Sequence, residues 1–500
     1  MFSQKRTKHA AKVIPIFKNG NKHNAANYRP ISLLPAFSKI LEKLMCKRLM
    51  QFILKHNLLF QGQYGFIRGR STEQAMIEII YRITEAIENK QFSLGIFLDL
   101  SKAFDSIDHN ILLKKLHKYG IRGTGLTWFR HYLTNRIQYV DTGKAESSEL
   151  PIISGVPQGS VLGPILFLLY INDMPFLSPI LNFIVFADDT TGIYNSSSLN
   201  ELFVTTENEL KLLHKWFSSN NLQLNAKKTE LVLFMTRQKE TCTYIDPERH
   251  FLILENINIH PSTHVKFLGL QLDKNLSYNK HIDLVCTKLT KGNYALSQAA
   301  KLLSSRELKI IYSALILPYL NYGLLIWGGI CKTDTNFTIL HKGPTLNHMS
   351  TLNKVHKLQK RALRIISKQG FYCHHIPLCF SLQLLDLEHL YNLKALSFFH
   401  SYYHGNLPPF FSNKINLYYT RDGCLQIKTQ HRRTNIAASN IFHTLPNIWN
   451  NLPPLLKSEI SKSKNTFLSK VKSHYLGSYE NWKCIHLNCY ICKKNNKLKK

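Results

Sequence analysis

Two adjacent aspartates, Asp188 and Asp189, come directly after the apolar run 182–187. Burying unpaired charge is costly, so a hydrophobic strand that leads straight into two carboxylates suggests a use for them. A third aspartate, Asp99, lies near the end of another apolar strand, predicted at 92–100. If the two strands lie side by side, Asp99 and Asp188 can face the same point.

Close carboxylates repel and raise each other's pKa unless a cation lies between them. Mg²⁺ relieves this repulsion, because it takes oxygen ligands and keeps open positions for phosphate. Two such ions, roughly 3.5 to 4 Å apart, can activate an attacking hydroxyl and stabilise a leaving pyrophosphate. The alternative for Asp188 and Asp189 is an ordinary hairpin turn, in which aspartate is common. The pair alone does not decide between these two interpretations.

Helices and strands surround these aspartates without a strict alternation of strand and helix. Apolar residues at helical spacing, with caps and stop signals, predict helices at 38–59 (behind a serine cap), 71–90, 104–120 and 198–221. Shorter apolar runs predict strands at 92–100 and 228–235 and a strand, tight turn and strand at 181–194. This mixture predicts an α+β fold with an antiparallel sheet and helices on one face.

The chain is strongly basic. Its 500 residues include 64 Lys and Arg against 31 Asp and Glu, a formal charge of +33. Such an excess repels itself unless a polyanion binds, so nucleic acid is the predicted partner. The longest apolar runs, 161–171 and 310–320, are too short to span a bilayer, and the first dozen residues are polar and basic. With its scattered cysteines, the sequence predicts an intracellular, nuclear or cytoplasmic protein that is not secreted.

Five motifs occur in order between Phe97 and Leu270: "FLDLSKAFD", "SGVPQGSVLGP", "FADD", "LNAKKTELVLF" and "VKFLGL". Together they resemble the palm motifs of reverse transcriptases. Upstream, "VIPIFKNGNKHNAANYRPISLLPAFSKILEKLM" and "QYGFIRGRST" resemble the fingers of non-LTR (LINE) retrotransposon enzymes, especially jockey-like elements. Downstream, "LILPYLNYGLLIWGG", "LQKRALRII" and "RRTNIAASNIFHTLPNIWNNLPP" look like the thumb and C-terminal region of the same elements.

The resemblance implies a right-hand polymerase fold and a division into four regions. These are an N-terminal leader with fingers (1–95), a palm with part of the fingers (96–275), a helical thumb (276–370) and a basic C-terminal region (371–500). The implied activity is RNA-directed DNA polymerisation by two-metal nucleotidyl transfer, with two Mg²⁺ ions, or Mn²⁺ in their place. The implied partners are an RNA template, a DNA primer or target DNA, and deoxynucleoside triphosphates, with no membrane.

The same resemblance assigns roles to the acidic strand ends. Asp99 and Asp188 would be metal ligands, with Asp189 as the third acidic member of the catalytic site. Lys228, in "NAKKT", matches a lysine near the pyrophosphate that can act as general acid. Its neighbour Lys227 is a rival for this role, and a solvated lysine pair is the plain alternative.

Other matched positions would bind the substrate. Phe104 matches the aromatic steric gate that rejects a ribose 2′-hydroxyl; a plain core aromatic is the alternative. Gln158 and Gly159, in "GVPQGS", would contact the template and the incoming nucleotide, unless they form a mere Pro-Gly turn. Arg29 and Arg70 are candidates for phosphate contacts, because a guanidinium binds phosphate through two hydrogen bonds.

One substrate-binding motif departs from its relatives. They usually read "GFRxGRST", whereas this chain has Ile67 in place of the first arginine and Arg68 directly after it. This departure motivates the alternative of a catalytically inactive remnant that only binds nucleic acid. Further along the chain, the resemblance assigns Phe267, Leu268 and Gly269 to the primer grip, where a buried strand is the plain alternative.

The remaining features concern the limits of the resemblance. The stretch 333–350 looks like an insertion. No endonuclease or ribonuclease H pattern is visible, so we expect a truncated element product. An intron maturase is a more distant alternative, which the "WNNLPP" segment disfavours. Near the C-terminus, four side chains could hold zinc, but their spacing favours an unstructured basic tail: Cys484, His486, Cys489 and Cys492.

Overall fold

The computed structural model describes residues 10–134, 136–329, 351–480, 482 and 484. Its strands are β1 (Ala11–Phe17), β2 (Tyr28–Leu33), β3 (Phe92–Leu98), β4 (Leu100–Ser101), β5 (Ile137–Val140), β6 (Leu150–Pro151), β7 (Asn182–Phe186), β8 (Asp189–Ser196), β9 (Gln223–Leu224), β10 (Glu230–Phe234), β11 (Leu252–Leu254), β12 (Ile257–Ile259), β13 (His264–Phe267), β14 (Leu270–Asp273), β15 (Leu417–Tyr419) and β16 (Leu425–Ile427).

The α-helices are α1 (Ala36–Lys55), α2 (Thr72–Glu88), α3 (His109–Lys118), α4 (Gly123–Leu133), α5 (Gly163–Ile171), α6 (Leu199–Ser219), α7 (Arg237–Thr241), α8 (Asn279–Ala299), α9 (Ser305–Leu315), α10 (Leu317–Asn321), α11 (Leu324–Trp327), α12 (Thr351–Ile366), α13 (His375–Leu382), α14 (Leu387–Tyr403), α15 (Asn435–Ala438), α16 (Ile441–Asn450), α17 (Pro454–Lys457) and α18 (Lys464–Glu480). None of the helices in the described ranges is both long and apolar enough to cross a bilayer. The predicted α+β class is confirmed.

The described residues form two compact units. The first contains 10–70, 94–231 and 245–261, and the second contains 71–93, 232–244 and the described residues from 262 onward. The insertion predicted at 333–350 lies outside the described residues, as does the tail beyond Cys484. The division into four regions made from the sequence stays a prediction.

The acidic residues lie on a four-stranded sheet with the strand order β10–β3–β8–β7. All residues of β3 are buried, as is typical of a strand covered on both faces. β7 and β8 form an antiparallel hairpin in which Phe186 is opposite Asp189, so the predicted strand, turn and strand are confirmed. Helix α5 has only one residue that is not buried, because a helix that is apolar all round belongs in a core.

A second sheet in the first unit has the order β2–β1–β5–β6. β1 pairs with β2 antiparallel over its length and with β5 in parallel. Helix α1 follows β2 but begins at Ala36, after Pro35, and no side chain caps it. The predicted serine cap at Ser38 is wrong, because Ser38 lies inside the first helical turn. The helix predicted at 104–120 is confirmed only over His109–Lys118, and residues 104–108 precede it. The carboxylate of Asp108 caps this helix by accepting hydrogen bonds from two backbone amides.

The second unit is mainly helical. Helices α8 and α12 lie side by side and run in the same direction, because Asn279 contacts Thr351 and Asp283 contacts Lys354 further along both helices. Aromatic side chains fill the core between α14, α16 and α18: the Trp449 ring lies 4.6 Å from that of Phe399 and 6.5 Å from that of Phe467. The hairpin β13–β14 belongs to the same unit.

Candidate active site

Three aspartates meet at one edge of the β10–β3–β8–β7 sheet. Asp99 directly follows β3, Asp188 lies in the two-residue turn between β7 and β8, and Asp189 is the first residue of β8. β3 and β8 are neighbours in the sheet, and the charge of Asp99 acts on the carboxyl groups of both other aspartates. The structure therefore brings together the three aspartates selected from the sequence, while the role of each stays a prediction.

Mutual repulsion changes the titration of these carboxyl groups. Loss of hydration and the charges of Asp188 and Asp99 raise the pKa of Asp189 to about 6. The pKa of Asp188 is raised as well, first by loss of hydration and then by Asp99. The cations of Arg29 and Lys18 oppose the rise in the pKa of Asp188. Both carboxyl groups remain exposed at the surface, so neighbouring protein atoms displace only part of their water. The cluster carries excess negative charge that a divalent cation would neutralise.

This charge gives a prediction for stability. Because the folded-state pKa of Asp189 lies above its ordinary value of 3.8, ionised Asp189 destabilises the folded protein. This cost is absent below about pH 4, grows as the pH rises through about 6, and is constant above that. In chelator at pH 7.5 we expect Asp189→Asn to unfold with a free energy higher by roughly 1 kcal/mol, after allowing for solvent screening.

Denaturant unfolding of both proteins from pH 4 to pH 8 in chelator measures this difference. Asp173→Asn is the matched control, since Asp173 is a surface aspartate that forms an ion pair of 2.7 Å with Lys115. It should lose a little stability above pH 4 and gain none. A gain for Asp189→Asn that is as large at pH 4 as at pH 7.5 would show that ionisation of Asp189 is not its cause.

A loop from the segment 62–65 holds the tip of the β7–β8 hairpin. The backbone amide of Tyr64 donates to the carbonyl of Val185 at 2.7 Å. The side-chain oxygen of Gln63 accepts from the amide of Gly65 at 2.8 Å and from that of Ala187 at 3.1 Å. Gln63 is only 3% exposed. Its amide group therefore fixes the backbone of the residue that immediately precedes Asp188.

The turn itself is strained and closely packed. Ala187 has a φ of 58°, in the left-handed region that costs an L-residue roughly 1–2 kcal/mol. A Cβ atom on Gly65 would lie 2.5 Å from the backbone nitrogen of Ala187 and 3.0 Å from the carbonyl carbon of Phe186. Only glycine allows this approach. Sequence reasoning selected no role for Gln63 or Gly65, although the "QYGF" segment that contains them was part of the resemblance.

Lys228 lies next to the acidic cluster. Its Nζ is 3.5 Å from Oδ2 of Asp99, which is an ion-pair distance without a hydrogen bond. Among the described residues, that buried oxygen has no hydrogen-bond partner. The backbone amide of Asn225 donates to the carbonyl of Asp99 at 2.8 Å, which fixes the turn before the lysine. Lys227 and Lys228 are both exposed, so only the ion pair with Asp99 favours Lys228, and its role stays a prediction.

The "GVPQG" segment packs on the loop after Asp99. The side-chain amide of Gln158 donates to Oδ1 of Asp105 at 3.0 Å, and burial raises the pKa of Asp105 although this hydrogen bond opposes the rise. A Cβ on Gly155 would lie 2.8 Å from the Cα of Asp105, and one on Gly159 would lie 2.8 Å from the carbonyl oxygen of Ser32. These glycines allow close backbone packing, and the predicted nucleotide contacts of Gln158 and Gly159 stay predictions.

Phe104 is half-buried beside the acidic cluster's loop. Its ring stacks on Phe167 at 4.7 Å and meets the edge of Phe66 at 6.4 Å. The carbonyl of Phe104 accepts a hydrogen bond of 2.9 Å from the amide of Val156. The ring is thus packed against two other rings and remains partly exposed, and its gating role stays a prediction.

The cations predicted to bind phosphate differ in their surroundings. Arg29, on β2, is exposed and acts on Asp188. Arg70 is held by its own loop, since its Nη1 donates to the carbonyl oxygens of Gln61 and Gln63. Arg68 is exposed. Sequence reasoning missed Lys18, which follows β1 and acts on both Asp188 and Asp189.

The predicted primer-grip residues form a turn in the second unit. Phe267 pairs with Leu270, and the two residues between them, Leu268 and Gly269, have φ values of 44° and 88°. The hydroxyl of Tyr322 donates to the carbonyl of Leu268, which braces this hairpin. The alternative of a continuous buried strand is wrong at Leu268 and Gly269, and the primer-grip role stays a prediction.

One aspartate at a strand end, next to a hairpin tip that carries two further aspartates, is the arrangement found in the palm of nucleic-acid polymerases. Residues 18–272, just over half of the chain, match the family model described as "Reverse transcriptase (RNA-dependent DNA polymerase)". The chain belongs to this family, which confirms the predicted family and its right-hand polymerase fold. Reverse transcriptases use divalent metal ions. A cluster of repelling carboxylates, in which an Asp99 oxygen accepts no hydrogen bond from the described residues, fits this requirement.

Two curated relatives come from Drosophila melanogaster. The RNA-directed DNA polymerase from mobile element jockey is 30% identical over 375 residues, which are 73% of this chain and 38% of the relative. The probable RNA-directed DNA polymerase from transposon X-element is 31% identical over 317 residues, 62% of this chain and 34% of the relative. The chain thus spans well under half the length of these relatives. Among solved structures, apo telomerase from Candida tropicalis has a TM-score of 0.40 and 12% identity, covering 83% of this chain and 69% of the telomerase.

Proposed function

We propose that this chain is the polymerase part of a non-LTR retrotransposon protein and copies element RNA into DNA. The observation that carries the proposal is the meeting of Asp99 with the Asp188–Asp189 hairpin tip, where the charge of Asp99 acts on the carboxyl groups of Asp188 and Asp189. Family membership supports the reaction class, and the net charge of +33 supports nucleic-acid partners. In the proposed reaction, the 3′-hydroxyl of a DNA primer attacks the α-phosphate of a deoxynucleoside triphosphate.

The acidic cluster suits a site for two divalent ions. Asp99 and Asp188 would hold them, with Asp189 adding negative charge, and their oxygen ligands favour Mg²⁺, with Mn²⁺ as the alternative. When bound, such ions supply Lewis-acid stabilisation of charge on phosphate oxygens. Lys228, 3.5 Å from Asp99, is placed to donate a proton to the leaving pyrophosphate.

The exposed cations near the hairpin tip suit the triphosphate. Arg29 and Lys18 lie close enough to oppose the raised pKa of Asp188, and both are exposed. Positive charge there would attract the phosphates of the incoming nucleotide. RNA template and DNA primer would be bound mainly through their phosphate backbones, and this binding should weaken as salt rises.

Phe104 gives a prediction for sugar selection. In Phe104→Val we expect the preference for deoxynucleotides over ribonucleotides to fall by roughly 10–100-fold, because the smaller side chain leaves room for a 2′-hydroxyl. Incorporation of deoxynucleotides should fall much less. Single-nucleotide primer extension with each triphosphate gives the ratio. Phe176→Val, which changes a phenylalanine that is 70% exposed, is the matched control, and an unchanged ratio in Phe104→Val would remove Phe104 from sugar selection.

A second candidate is a catalytically inactive remnant that only binds nucleic acid. Two observations favour it: Ile67 stands where relatives have an arginine, and Arg70 is held by carbonyl groups of its own loop. Arg68 would have to supply the missing contact alone. This candidate keeps RNA binding and loses nucleotide incorporation.

Primer extension on an RNA template, with Mg²⁺ and all four deoxynucleotides, separates the two candidates. Incorporation that depends on the RNA sequence supports the polymerase. No incorporation, together with tight salt-sensitive RNA binding, supports the remnant. Ile67→Arg then tests the role of this position directly. Restored nucleotide incorporation would assign the defect to Ile67, and a continued lack of incorporation would show that Ile67 is not its cause.

A further inference from the structure

Three buried polar side chains meet in the second unit, and none of them is assigned to the polymerase site. His356 belongs to α12, His375 begins α13, and Asp386 precedes α14 as its N-cap. They are only 3%, 9% and 2% exposed. One donor atom of each lies within 4.8 Å of the others. A set of two imidazoles and a carboxylate this close together is a common set of ligands for a transition metal.

Both imidazoles leave a nitrogen without a partner. In the described residues, Nε2 of His356 and Nε2 of His375 are buried and make no hydrogen bond. Their rings lie 5.1 Å apart at 81°, so they are not stacked face to face. Leaving a buried polar atom unsatisfied costs roughly 1–3 kcal/mol. Burial and Lys360 lower the pKa of His356 to about 3, which keeps the ring in the neutral form that binds metals.

The carboxylate of Asp386 is already oriented. Its Oδ1 accepts hydrogen bonds from the backbone amide and Nδ1 of His389, each at 2.9 Å, and from the hydroxyl of Tyr479 at 3.0 Å. Burial alone would raise the pKa of Asp386, but the hydrogen bonds from His389 outweigh burial and lower this pKa. Such outer hydrogen bonds hold ligand carboxylates in known metal sites.

A fourth donor lies one helical turn from His375. Cys379 is on the same helix, four residues further on, and is fully buried. Burial and then the charge of Asp386 raise the pKa of its thiol, so a metal ion must displace the thiol proton to bind the sulfur. Lys360 is the neighbouring cation that opposes metal binding, and burial lowers its pKa to about 8. When the thiol proton leaves to solvent, zinc with one thiolate and one carboxylate forms a group of zero net charge, which can be accommodated beside this lysine.

We propose that His356, His375, Asp386 and Cys379 bind a structural zinc ion. Zinc–nitrogen and zinc–sulfur bonds of about 2.0 and 2.3 Å place tetrahedral ligands roughly 3.3–3.8 Å apart. Side-chain movements of about 1 Å bring His356, His375 and Asp386 to this spacing, and the Cys379 side chain must move further, because its sulfur does not belong to the group of donor atoms within 4.8 Å. The ion would join α12 to α13 and to the start of α14. This inference does not depend on the polymerase activity.

Metal analysis of the full chain, purified without chelator, tests the proposal. We expect about one zinc per chain in the parent protein, and loss of it in His356→Gln/Cys379→Ser. Cys489→Ser/Cys492→Ser is the matched control for the C-terminal tail and should keep the zinc. A parent protein without zinc, both as purified and after dialysis against zinc, overturns the proposal. So does zinc that is lost with the tail cysteines and kept in the His356→Gln/Cys379→Ser variant.

Cobalt replacement gives a readout that does not depend on variants that fold poorly. Co²⁺ bound to the parent protein should show tetrahedral ligand-field bands and a thiolate charge-transfer band. Cys379→Ser should keep the ligand-field bands and lose the thiolate charge-transfer band. Octahedral Co²⁺ spectra in the tail-variant protein would contradict a tetrahedral site with a thiolate ligand.

Discussion

Asp188→Asn should reduce primer extension by at least about 10³-fold, equivalent to about 4 kcal/mol of transition-state stabilisation. Asparagine has nearly the same shape as aspartate, so the hairpin turn should keep its backbone. It lacks the negative charge that the proposed metal site requires. The loss should therefore appear in the rate of nucleotide incorporation and be recovered only slightly by more Mg²⁺ or by Mn²⁺.

The control for this variant is again Asp173→Asn, which should extend primers at close to the parent rate. RNA binding by Asp188→Asn should stay within about twofold of the parent, because one carboxylate contributes little to backbone binding. A variant that retains even a tenth of the parent rate would show that Asp188 is not a metal ligand.

Gly65→Ala should have the second largest effect, a loss of roughly 10²-fold in primer extension. The added Cβ would lie 2.5 Å from the backbone nitrogen of Ala187 and 3.0 Å from the carbonyl carbon of Phe186. Both are backbone atoms, which cannot move aside as the end of a flexible side chain can. The turn that carries Asp188 must therefore shift by some tenths of an ångström or more. Displacements near 1 Å at a reacting centre cost on the order of 10²-fold in rate.

The matched control is Gly125→Ala, in helix α4. There an added Cβ would meet nothing closer than Ile121 Cγ2 at 3.6 Å, so we expect unchanged activity and a small gain in stability. Thermal unfolding distinguishes a displaced turn from a collapsed fold. Parent-like activity in Gly65→Ala would show that the hairpin tip is not positioned by this contact.

The acidic hairpin was predictable because its signals are local. An apolar run, two aspartates and a second short run within 181–194 define a strand, a turn and a strand, and β7 and β8 have this form. The position of Asp99 was predictable only on the assumption that its strand is a neighbour, which the order β3–β8 satisfies. Helix α1 shows that a local signal can also mislead. The sequence predicted Ser38 as the N-cap, whereas Ser38 lies inside the helix.

The contacts that hold the site were not predictable. The hydrogen bond from Ala187 to Gln63 joins residues 124 positions apart, and no periodicity relates them. The cluster of His356, His375 and Asp386 likewise takes one residue from each of three helices. Such clusters exist only once the helices have packed, so their sequence spacing carries no signal of its own.

The pairing of β1 with β2 has one more consequence. Lys18 and Arg29 belong to a single ribbon, in which Ile16 is opposite Arg29 and the amide of Lys18 donates to the carbonyl of Asn27 at 2.9 Å. The two cations are therefore mechanically linked: any bending of the ribbon advances or withdraws both charges at once. With an isoleucine at position 67, the proposed nucleotide binding would rely on these two linked cations together with Arg68.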